Sequence, residues 1–346
     1  MQTKPRIPLV PPKIAPLPDQ AKRPVWSVMI PTYNCSRFLK ETIESVLDQD
    51  FGKDLMQIEV IDDCSTDEDV EAIVNQIGAG RISFYRQPEN VGSLRNFETC
   101  INRAQGHYIH ILHGDDCVKP GFYKKIGELL ERFPEAGAAF CRYEVIDDKS
   151  KYFGEDSLLM NKDGIVDDFL LHQSQKQWVQ YASVVVKRKV YEELGSFYAV
   201  TYGEDWEMWA RIGKNHPVAY SPLLLSQYRM HFSSISSNSY RTGKNIKDVM
   251  QVLGLINQYL PADDRKKLLK SAVRNYAHWA CRFTGYLWYR TNSSKLVTRQ
   301  LIGIMKVHRD RYVLTTAGAI LWQVTKSLLR YYKVLPQKQP KKSSVL

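Results

Sequence analysis

Short apolar runs alternate with amphipathic stretches along the first third of the chain. Four runs rich in β-branched and aromatic residues predict strands, at residues 25–30, 58–61, 81–85 and 108–112. Three stretches between them repeat apolar residues at helical spacing, at residues 36–47, 70–77 and 94–104. Because strands and helices alternate with short connections, we expect an α/β fold with a parallel, doubly wound sheet.

Two of these strands end in paired carboxylates, Asp62-Asp63 after the second and Asp115-Asp116 after the fourth. Right-handed βαβ units place the carboxyl ends of such strands along one rim, where open α/β sheets bind ligands. Aspartate pairs are also common in solvated turns, which explains either pair alone equally well. Two pairs at one rim favour a ligand site.

The sequence around this rim restricts the kind of ligand. No Gly-x-Gly-x-x-Gly motif follows the first strand, and the chain has no Gly-x-x-x-x-Gly-Lys-Ser/Thr loop. A dinucleotide fold of that type and an ATPase are therefore disfavoured. A phosphate-bearing ligand would need another counter-charge, and Asp115 and Asp116 are hard oxygen donors suited to Mg²⁺ or Mn²⁺.

The second half of the chain divides into two regions. Up to residue 240, two further strands are predicted at 140–146 and 182–186, with helices that begin at Ile165, Lys189 and Glu204. From residue 245 onward the apolar spacing is helical throughout.

Charge separates the same regions. Residues 25–240 hold 22 Lys and Arg against 32 Asp and Glu, whereas residues 241–346 hold 21 against four. The first 24 residues are basic and contain seven of the sixteen prolines. The chain is thus predicted to comprise a disordered Pro-rich basic arm (1–24), an α/β domain (25–240), a basic helical region (241–335) and a disordered tail (336–346).

Six segments carry recognisable motifs, at residues 27–34 (SVMIPTYN), 61–67 (IDDCSTD), 90–96 (NVGSLRN), 114–116 (GDD), 203–207 (GEDWE) and 228–233 (YRMHFS). In this order, over residues 25–235, they resemble the family 2 glycosyltransferases. Cys64 stands where that family usually has Gly or Asn. The resemblance implies an inverting, nucleotide-sugar-dependent enzyme of the GT-A fold, a doubly wound, Rossmann-like mixed sheet, here with an all-helical C-terminal appendage.

The resemblance implies roles for five residues that border the nucleotide. Pro31, Tyr33 and Asn34 would lie along it, with Tyr33 stacked on the base, as an aromatic face allows. Asp63 would accept a hydrogen bond from a base N–H. Arg95 would reach the diphosphate or the base, although exposed helical arginines are common.

The same resemblance implies a divalent metal, Mn²⁺ or Mg²⁺. Asp116 would coordinate it, Asp115 would face the ribose or the metal, and His231 is a candidate further ligand or a surface histidine. Strand alternation puts His107 and His113 on one face and His110 on the other, so these histidines are not expected to form a metal site, although His113 would lie near the nucleotide.

Asp205 is the expected general base, because direct inversion needs one group to take the acceptor proton. Glu204 beside it would raise the basicity of Asp205. Glu204 and Trp206 are expected to border the acceptor. Acidic residues in a first helical turn also stabilise the helix dipole, which is the alternative explanation.

The predicted reaction is transfer of one sugar from a nucleoside-diphosphate sugar, with UDP as the family-level expectation. The acceptor would be a saccharide or a lipid-linked molecule in cell-surface polysaccharide, lipopolysaccharide or glycoconjugate synthesis. The chain lacks the Gln-x-x-Arg-Trp motif of processive synthases. The alternative is a nucleotidyltransferase that activates a sugar phosphate, although such an enzyme would need a basic Gly-rich loop after the first strand, and none is present. A third alternative is a binding module that keeps the fold without catalysing a reaction.

The excess of basic residues in the C-terminal helices has two explanations, which the sequence supports equally. The helices could form a subdomain that packs on the core with a solvated basic face, or they could contact an anionic membrane. Nucleic acid is disfavoured because no binding motif is present. Six scattered cysteines without a C-x-x-C pair suit a reducing cytosol. We therefore expect a cytoplasmic protein, or one peripheral on the cytoplasmic face of the membrane.

Overall fold

The computed structural model describes residues 5–18 and 23–331. The predicted tail, 336–346, lies outside the described residues.

A single mixed sheet forms the centre of the α/β domain. Its strands are β1 (Trp26–Thr32), β2 (Met56–Asp62), β3 (Ser83–Arg86), β4 (Tyr108–Ile111), β5 (Cys117–Val118), β6 (Ala138–Ile146), β7 (Tyr152–Glu155), β8 (Gly164–Ile165), β9 (Val184–Lys187) and β10 (Val218–Arg229). The order is β3-β2-β1-β4-β9-β6-β10-β5. The first four strands are parallel, and β9 runs antiparallel between β4 and β6. The α/β fold with a mixed sheet is confirmed.

Twelve helices are present in the described part of the chain. They are α1 (Ser36–Leu47), α2 (Val70–Gly78), α3 (Ser93–Arg103), α4 (Phe122–Arg132), α5 (Phe169–Gln175), α6 (Arg188–Leu194), α7 (Glu204–Asn215), α8 (Ile235–Thr242), α9 (Lys244–Tyr259), α10 (Arg265–Thr291), α11 (Ser294–Val307) and α12 (Arg311–Tyr331). One apolar core joins the sheet to α3, α6 and α7, and a second joins it to α1, α2 and α4. Successive side chains of β1 point to opposite faces of the sheet, as strand alternation requires. Met29 therefore packs in the first core, and Val28 and Ile30 pack in the second.

The helix predicted to begin at Ile165 begins later, at Phe169. Gly164 and Ile165 instead form β8, because their backbone pairs with β10. Asp168 has a φ of 48° and separates this strand from the helix. Helical spacing of apolar residues could not reveal this pairing, since the partner strand lies more than fifty residues further along the chain.

The N-terminal segment (residues 5–18) differs from the disordered arm that its prolines predicted. Ile14 is buried in the first core. The carbonyls of Pro8 and Pro12 accept hydrogen bonds from backbone N–H groups that follow α6, at 2.9 Å each. Proline lacks an N–H but keeps its carbonyl, so an extended segment can dock through carbonyls alone.

The C-terminal helices share an apolar core with α7. Trp206 and Ala210 of α7 pack in one cluster with residues of α9, α10, α11 and α12. His278 of α10 also lies 2.7 Å from the carboxylate of Asp310, which precedes α12. In the described residues, every helix is too short or too polar to cross a membrane.

Candidate active site

The carboxyl ends of β1, β2 and β4 lie side by side, because these strands are parallel neighbours. Asp62 ends β2 and is fully buried. Its carboxylate accepts hydrogen bonds from Ser65 and pairs with Arg86 at 2.5 Å, so it holds the loop after β2. Cys64 in that loop has a φ of 63°, a conformation that Gly and Asn adopt with less strain than Cys.

Asp63 organises the loop before α3. Its carboxylate accepts hydrogen bonds from the Asn90 side chain at 2.9 Å and from the N–H groups of Val91 and Gly92 at 2.7 and 2.9 Å. Burial raises the pKa of Asp63, although these hydrogen bonds oppose the rise. The carboxylate expected to contact the nucleotide base therefore also shapes the rim.

The loop after β1 contains the other residues expected beside the base. Pro31 is buried in β1, and its carbonyl accepts a hydrogen bond from Gly114 N at 3.1 Å. Asn34 accepts one from Thr66 N at 2.7 Å, which links the loops after β1 and β2. Tyr33 is 49% exposed at the rim, as a stacking platform requires.

The N-terminal segment reaches the same end of the rim. Arg95 Nε donates to the Pro5 carbonyl at 2.9 Å, and its guanidinium pairs with Glu98 at 2.5 Å. Arg6 hydrogen-bonds the side chain of Asn90 in the loop before α3. Arg6 could not be predicted from the sequence, since an arginine in a Pro-rich segment matches no motif.

The buried His231 and the half-buried Asp115 form a pair where β4 and β10 end. His231 Nε2 lies 2.8 Å from Asp115 Oδ2, and its Nδ1 lies 2.8 Å from the Ser233 hydroxyl. Burial raises the pKa of Asp115, but the hydrogen bond from His231 leads the opposing effects, and that pKa is held below its ordinary value. Arg229 Nε supports the pair by donating to the Asp115 carbonyl at 2.8 Å.

Asp116 lies against β10 instead. Its Oδ1 accepts a hydrogen bond from Arg229 N at 2.8 Å. Burial and the charge of Asp115 raise the pKa of Asp116 well above its ordinary value. Asp115 lines the cavity described below and Asp116 does not.

One cluster offers ligands for a divalent cation. His113, Asp115 and Asp116 place ligand atoms within 4.8 Å of one another. Burial lowers the pKa of His113, which keeps its ring neutral, and its Nε2 lacks a hydrogen-bond partner within the described chain. The two carboxylates fit Mg²⁺ or Mn²⁺, and the unpartnered nitrogen beside them is a candidate further ligand. His231, a candidate ligand from the sequence, lies outside this cluster and contacts Asp115, whereas His113, which was not expected to belong to a metal site, is part of it.

Glu204 and Asp205 occupy the first turn of α7. Asp205 Oδ2 accepts a hydrogen bond from Gln177 Nε2 at 2.6 Å, and Oδ1 accepts one from Trp206 N at 2.8 Å. Glu204 Oε1 accepts one from the Tyr181 hydroxyl at 3.3 Å.

Burial raises the pKa of Asp205 to about 7. Burial, followed by the charge of Asp205, raises the pKa of Glu204 to about 8. The raised basicity expected of Asp205 is therefore present, but its main cause is desolvation rather than the neighbouring carboxylate. A carboxylate that titrates near neutrality is suited to general base catalysis.

A cavity of about 400 Å³ joins these groups. His113, Asp115 and His231 line it from the rim, and Glu204 and Asp205 line it from α7. A nucleophile activated at Asp205 and a ligand held near Asp115 would thus share one space.

The structure corrects the acceptor-site prediction for Trp206. This indole is 5% exposed and packs in the core between α7 and the C-terminal helices. Its Nε1 donates to the Gln173 carbonyl at 2.5 Å, and the residue does not line the cavity. Trp206 therefore belongs to the motif as a core residue that packs α7 against the C-terminal helices.

Sequence reasoning missed several lining residues. Gln177 and Tyr181 come from the segment between α5 and β9, where no motif marks them. A further group comes from one face of α10 and comprises Trp279, Phe283, Tyr286 and Arg290. Their helical spacing was the available signal, but it is equally typical of core residues.

Comparison with known proteins identifies the domain. The family model described as glycosyl transferase family 2 matches residues 27–195. This segment of the chain belongs to that family. The protein is a glycosyltransferase, as the names of several relatives also indicate.

Several relatives of this glycosyltransferase are bacterial. It is 26% identical over 243 residues to an uncharacterized protein of Mycobacterium tuberculosis, covering 67% of this chain and 75% of that one. TuaG of Bacillus subtilis, named for teichuronic acid biosynthesis, is 28% identical over 236 residues, covering 64% and 85%. An uncharacterized glycosyltransferase of Rickettsia conorii is 28% identical over 212 residues, but the match spans 59% of this chain and only 34% of that protein.

The glycosyltransferase also resembles a solved structure, that of S. aureus TarS residues 1–349 in complex with UDP-GlcNAc. The TM-score is 0.62 at 13% identity, over 88% of this chain and 92% of the other. At this identity the likeness concerns the fold.

Proposed function

We propose that this glycosyltransferase moves one sugar, with inversion, from a UDP-sugar to a saccharide or lipid-linked acceptor in cell-surface polysaccharide synthesis. The observation that carries the proposal is the buried Asp205, with a pKa of about 7, in one cavity with Asp115 and His113. The UDP-GlcNAc bound to TarS and the name of TuaG support the donor and the pathway class.

The chain's own residues supply positioning and proton transfer. Gln177 holds the Asp205 carboxylate, which takes the proton of the acceptor hydroxyl as that oxygen attacks the anomeric carbon. Tyr33 and Asp63 bind the base, and Arg95, in the first turn of α3, serves the nucleotide as well.

Asp115, His113 and Asp116 would hold a divalent cation, with His231 fixing the orientation of Asp115. Such a cation acts as a Lewis acid that offsets the charge of the departing nucleoside diphosphate.

Product analysis of Asp205→Asn and the wild type tests the proposal. The wild type should release UDP, not pyrophosphate, when a UDP-sugar and a surface polysaccharide extract are supplied. Asp205→Asn should lose at least about a thousandfold in transfer, an upper-range effect for one acid–base group, while it binds UDP as the wild type does. Pyrophosphate release would identify a nucleotidyltransferase, and near wild-type transfer by Asp205→Asn would refute the assigned base.

We also propose that α12 contacts an anionic membrane surface. Its outward face exposes Leu314, Leu321, Trp322 and Leu328, and Lys326 lies 5.8 Å from the Trp322 ring centroid. Apolar and aromatic groups beside basic ones suit a membrane interface. Trp322→Ser should weaken co-sedimentation with phosphatidylglycerol vesicles, whereas Tyr152→Ser, an equally exposed aromatic on β7, should not. Equal sedimentation of wild type and Trp322→Ser would refute this contact.

A further inference from the structure

One face of α10 borders the cavity that holds Asp205. Four side chains spaced four, three and four residues apart form this α10 strip, which comprises Trp279, Phe283, Tyr286 and Arg290. The strip rises over eleven helical residues, about 16 Å at 1.5 Å per residue. That length exceeds what a single monosaccharide would occupy.

The rings of the strip form a continuous surface. Trp279 and Phe283 are stacked, with centroids 5.1 Å apart and an interplanar angle of 8°. Phe283 and Tyr286 follow at 5.6 Å. Phe153 of β7 extends the surface, stacked on Tyr286 at 6.2 Å and 12°.

Core packing accounts for only part of this surface. Phe283 also packs against the buried Tyr240 of α8. The residues of α10 that belong to the core shared by the C-terminal helices, such as Ala277 and Cys281, lie on another face and are fully buried. Trp279 keeps 38% of its surface exposed and Phe153 keeps 41%. Large aromatic rings left open beside a catalytic cavity indicate a binding surface.

Polar groups surround the rings. The cavity lining includes hydroxyl and amide side chains, namely Tyr143, Gln177, Gln180, Tyr228 and Ser236. Arg290 stands at the end of the strip, with its guanidinium 5.7 Å from the Phe232 ring centroid. Ring faces combined with hydrogen-bonding groups match a carbohydrate, which has apolar C–H faces and hydroxyl edges, whereas an acyl chain requires aliphatic walls.

We propose that the α10 strip is an acceptor subsite that binds an extended saccharide of two or more residues by stacking. The inference rests on the proposed function, because it assigns the cavity beside Asp205 to the acceptor. The helical region would then contribute to acceptor selection and not only to stability.

A carbohydrate array tests the proposal with the full chain. The probes are defined oligosaccharides of one to six residues, printed beside isoprenoid and fatty-acyl lipids without sugars, in the presence of UDP and Mn²⁺. The wild type should bind oligosaccharides of two or more residues better than the monosaccharides. Trp279→Ala and Phe283→Ala should each weaken that binding roughly tenfold, as removal of one stacking ring does elsewhere.

Tyr289→Ala is the matched control, because Tyr289 lies on the same helix, is 81% exposed and does not line the cavity. It should bind as the wild type does. Binding to the lipids alone, binding to none of the probes, or equal binding by wild type and Trp279→Ala would each overturn the subsite.

Steady-state kinetics with the array-selected oligosaccharide separate this inference from the proposed function. Trp279→Ala should raise the acceptor KM with the donor KM and the UDP-induced thermal shift unchanged, which also shows that the variant is folded. If the wild type transfers sugar and Trp279→Ala keeps its acceptor KM, the subsite fails and the function stands. If saccharide binding depends on the strip but no donor is consumed, the function fails and the subsite stands.

Discussion

The hydrogen bond from Gln177 to Asp205 provides a sharp test of the general base. Gln177→Leu removes the donor 2.6 Å from the carboxylate and keeps a side chain of similar size. This bond favours the ionised form, so its loss raises the pKa of Asp205. A hydrogen bond to a charged group contributes about 1.5–3 kcal/mol, and one pKa unit is about 1.4 kcal/mol. Because the Trp206 N–H bond remains, we expect a rise of about one unit.

The sign of the effect follows from the role of the base, which acts only when ionised. In the wild type, kcat/KM should rise tenfold per pH unit up to about pH 7 and then level off. In Gln177→Leu the same bend should lie near pH 8, so that the variant is slower by about eightfold at pH 6.5 and nearly equal at pH 9.5. Initial rates of UDP release between pH 5 and 9.5 measure this profile.

Gln175→Leu is the control, because the Gln175 amide bonds the Ser174 hydroxyl and the Leu268 carbonyl and is not part of the cavity lining. Its profile should match that of the wild type. A wild-type bend near pH 4, or superimposable profiles for the wild type and Gln177→Leu, would show that Asp205 is not the titrating base.

Three further predictions follow from the same contacts. Folding raises the pKa of Asp205, so the wild-type fold loses stability as the pH rises from the unfolded pKa of this carboxyl through about 7. Asp205→Asn removes this loss, and its free energy of unfolding relative to the wild type should be on the order of 2–4 kcal/mol higher at pH 8 than at pH 4, measured by urea unfolding. A difference that does not change with pH would contradict this. Asp115→Asn should abolish the Mn²⁺-dependent part of the UDP-induced thermal shift, and an unchanged Mn²⁺ titration would exclude Asp115 as a ligand. Trp206→Ala should lower the free energy of unfolding by about 3–5 kcal/mol, against less than about 1 kcal/mol for the exposed Trp322→Ala, and similar losses would mean that Trp206 is not a core residue.

The nucleotide side of the site could be predicted because its signals are local. Asp63 directly follows β2 and Asp115 comes four residues after the end of β4, and strand–helix alternation alone puts both at one rim. The sequence could not separate Asp115 from Asp116, because the difference is made by β10, whose Arg229 N–H binds Asp116 more than a hundred residues away.

The acceptor side depends on tertiary packing. Gln177 reaches Asp205 from a loop without a motif, and Trp279 reaches the cavity from a helix that follows the α/β domain. The prediction that Trp206 borders the acceptor was wrong because this residue lies inside a motif but its side chain points into the core. Motifs predict which segment approaches a site, whereas the direction of each side chain is decided by what packs behind it.

The docked N-terminal segment has a consequence for the order of folding. Arg188 donates to the Ala15 carbonyl across 173 residues of sequence, and the carbonyls of Pro8 and Pro12 bind backbone groups that follow α6. Contacts of such long range form late, because the entropy of closing the loop must be overcome first. During synthesis residues 8–15 would emerge well before these partners and would be among the last to be fixed, because residues 188–199 must be made first.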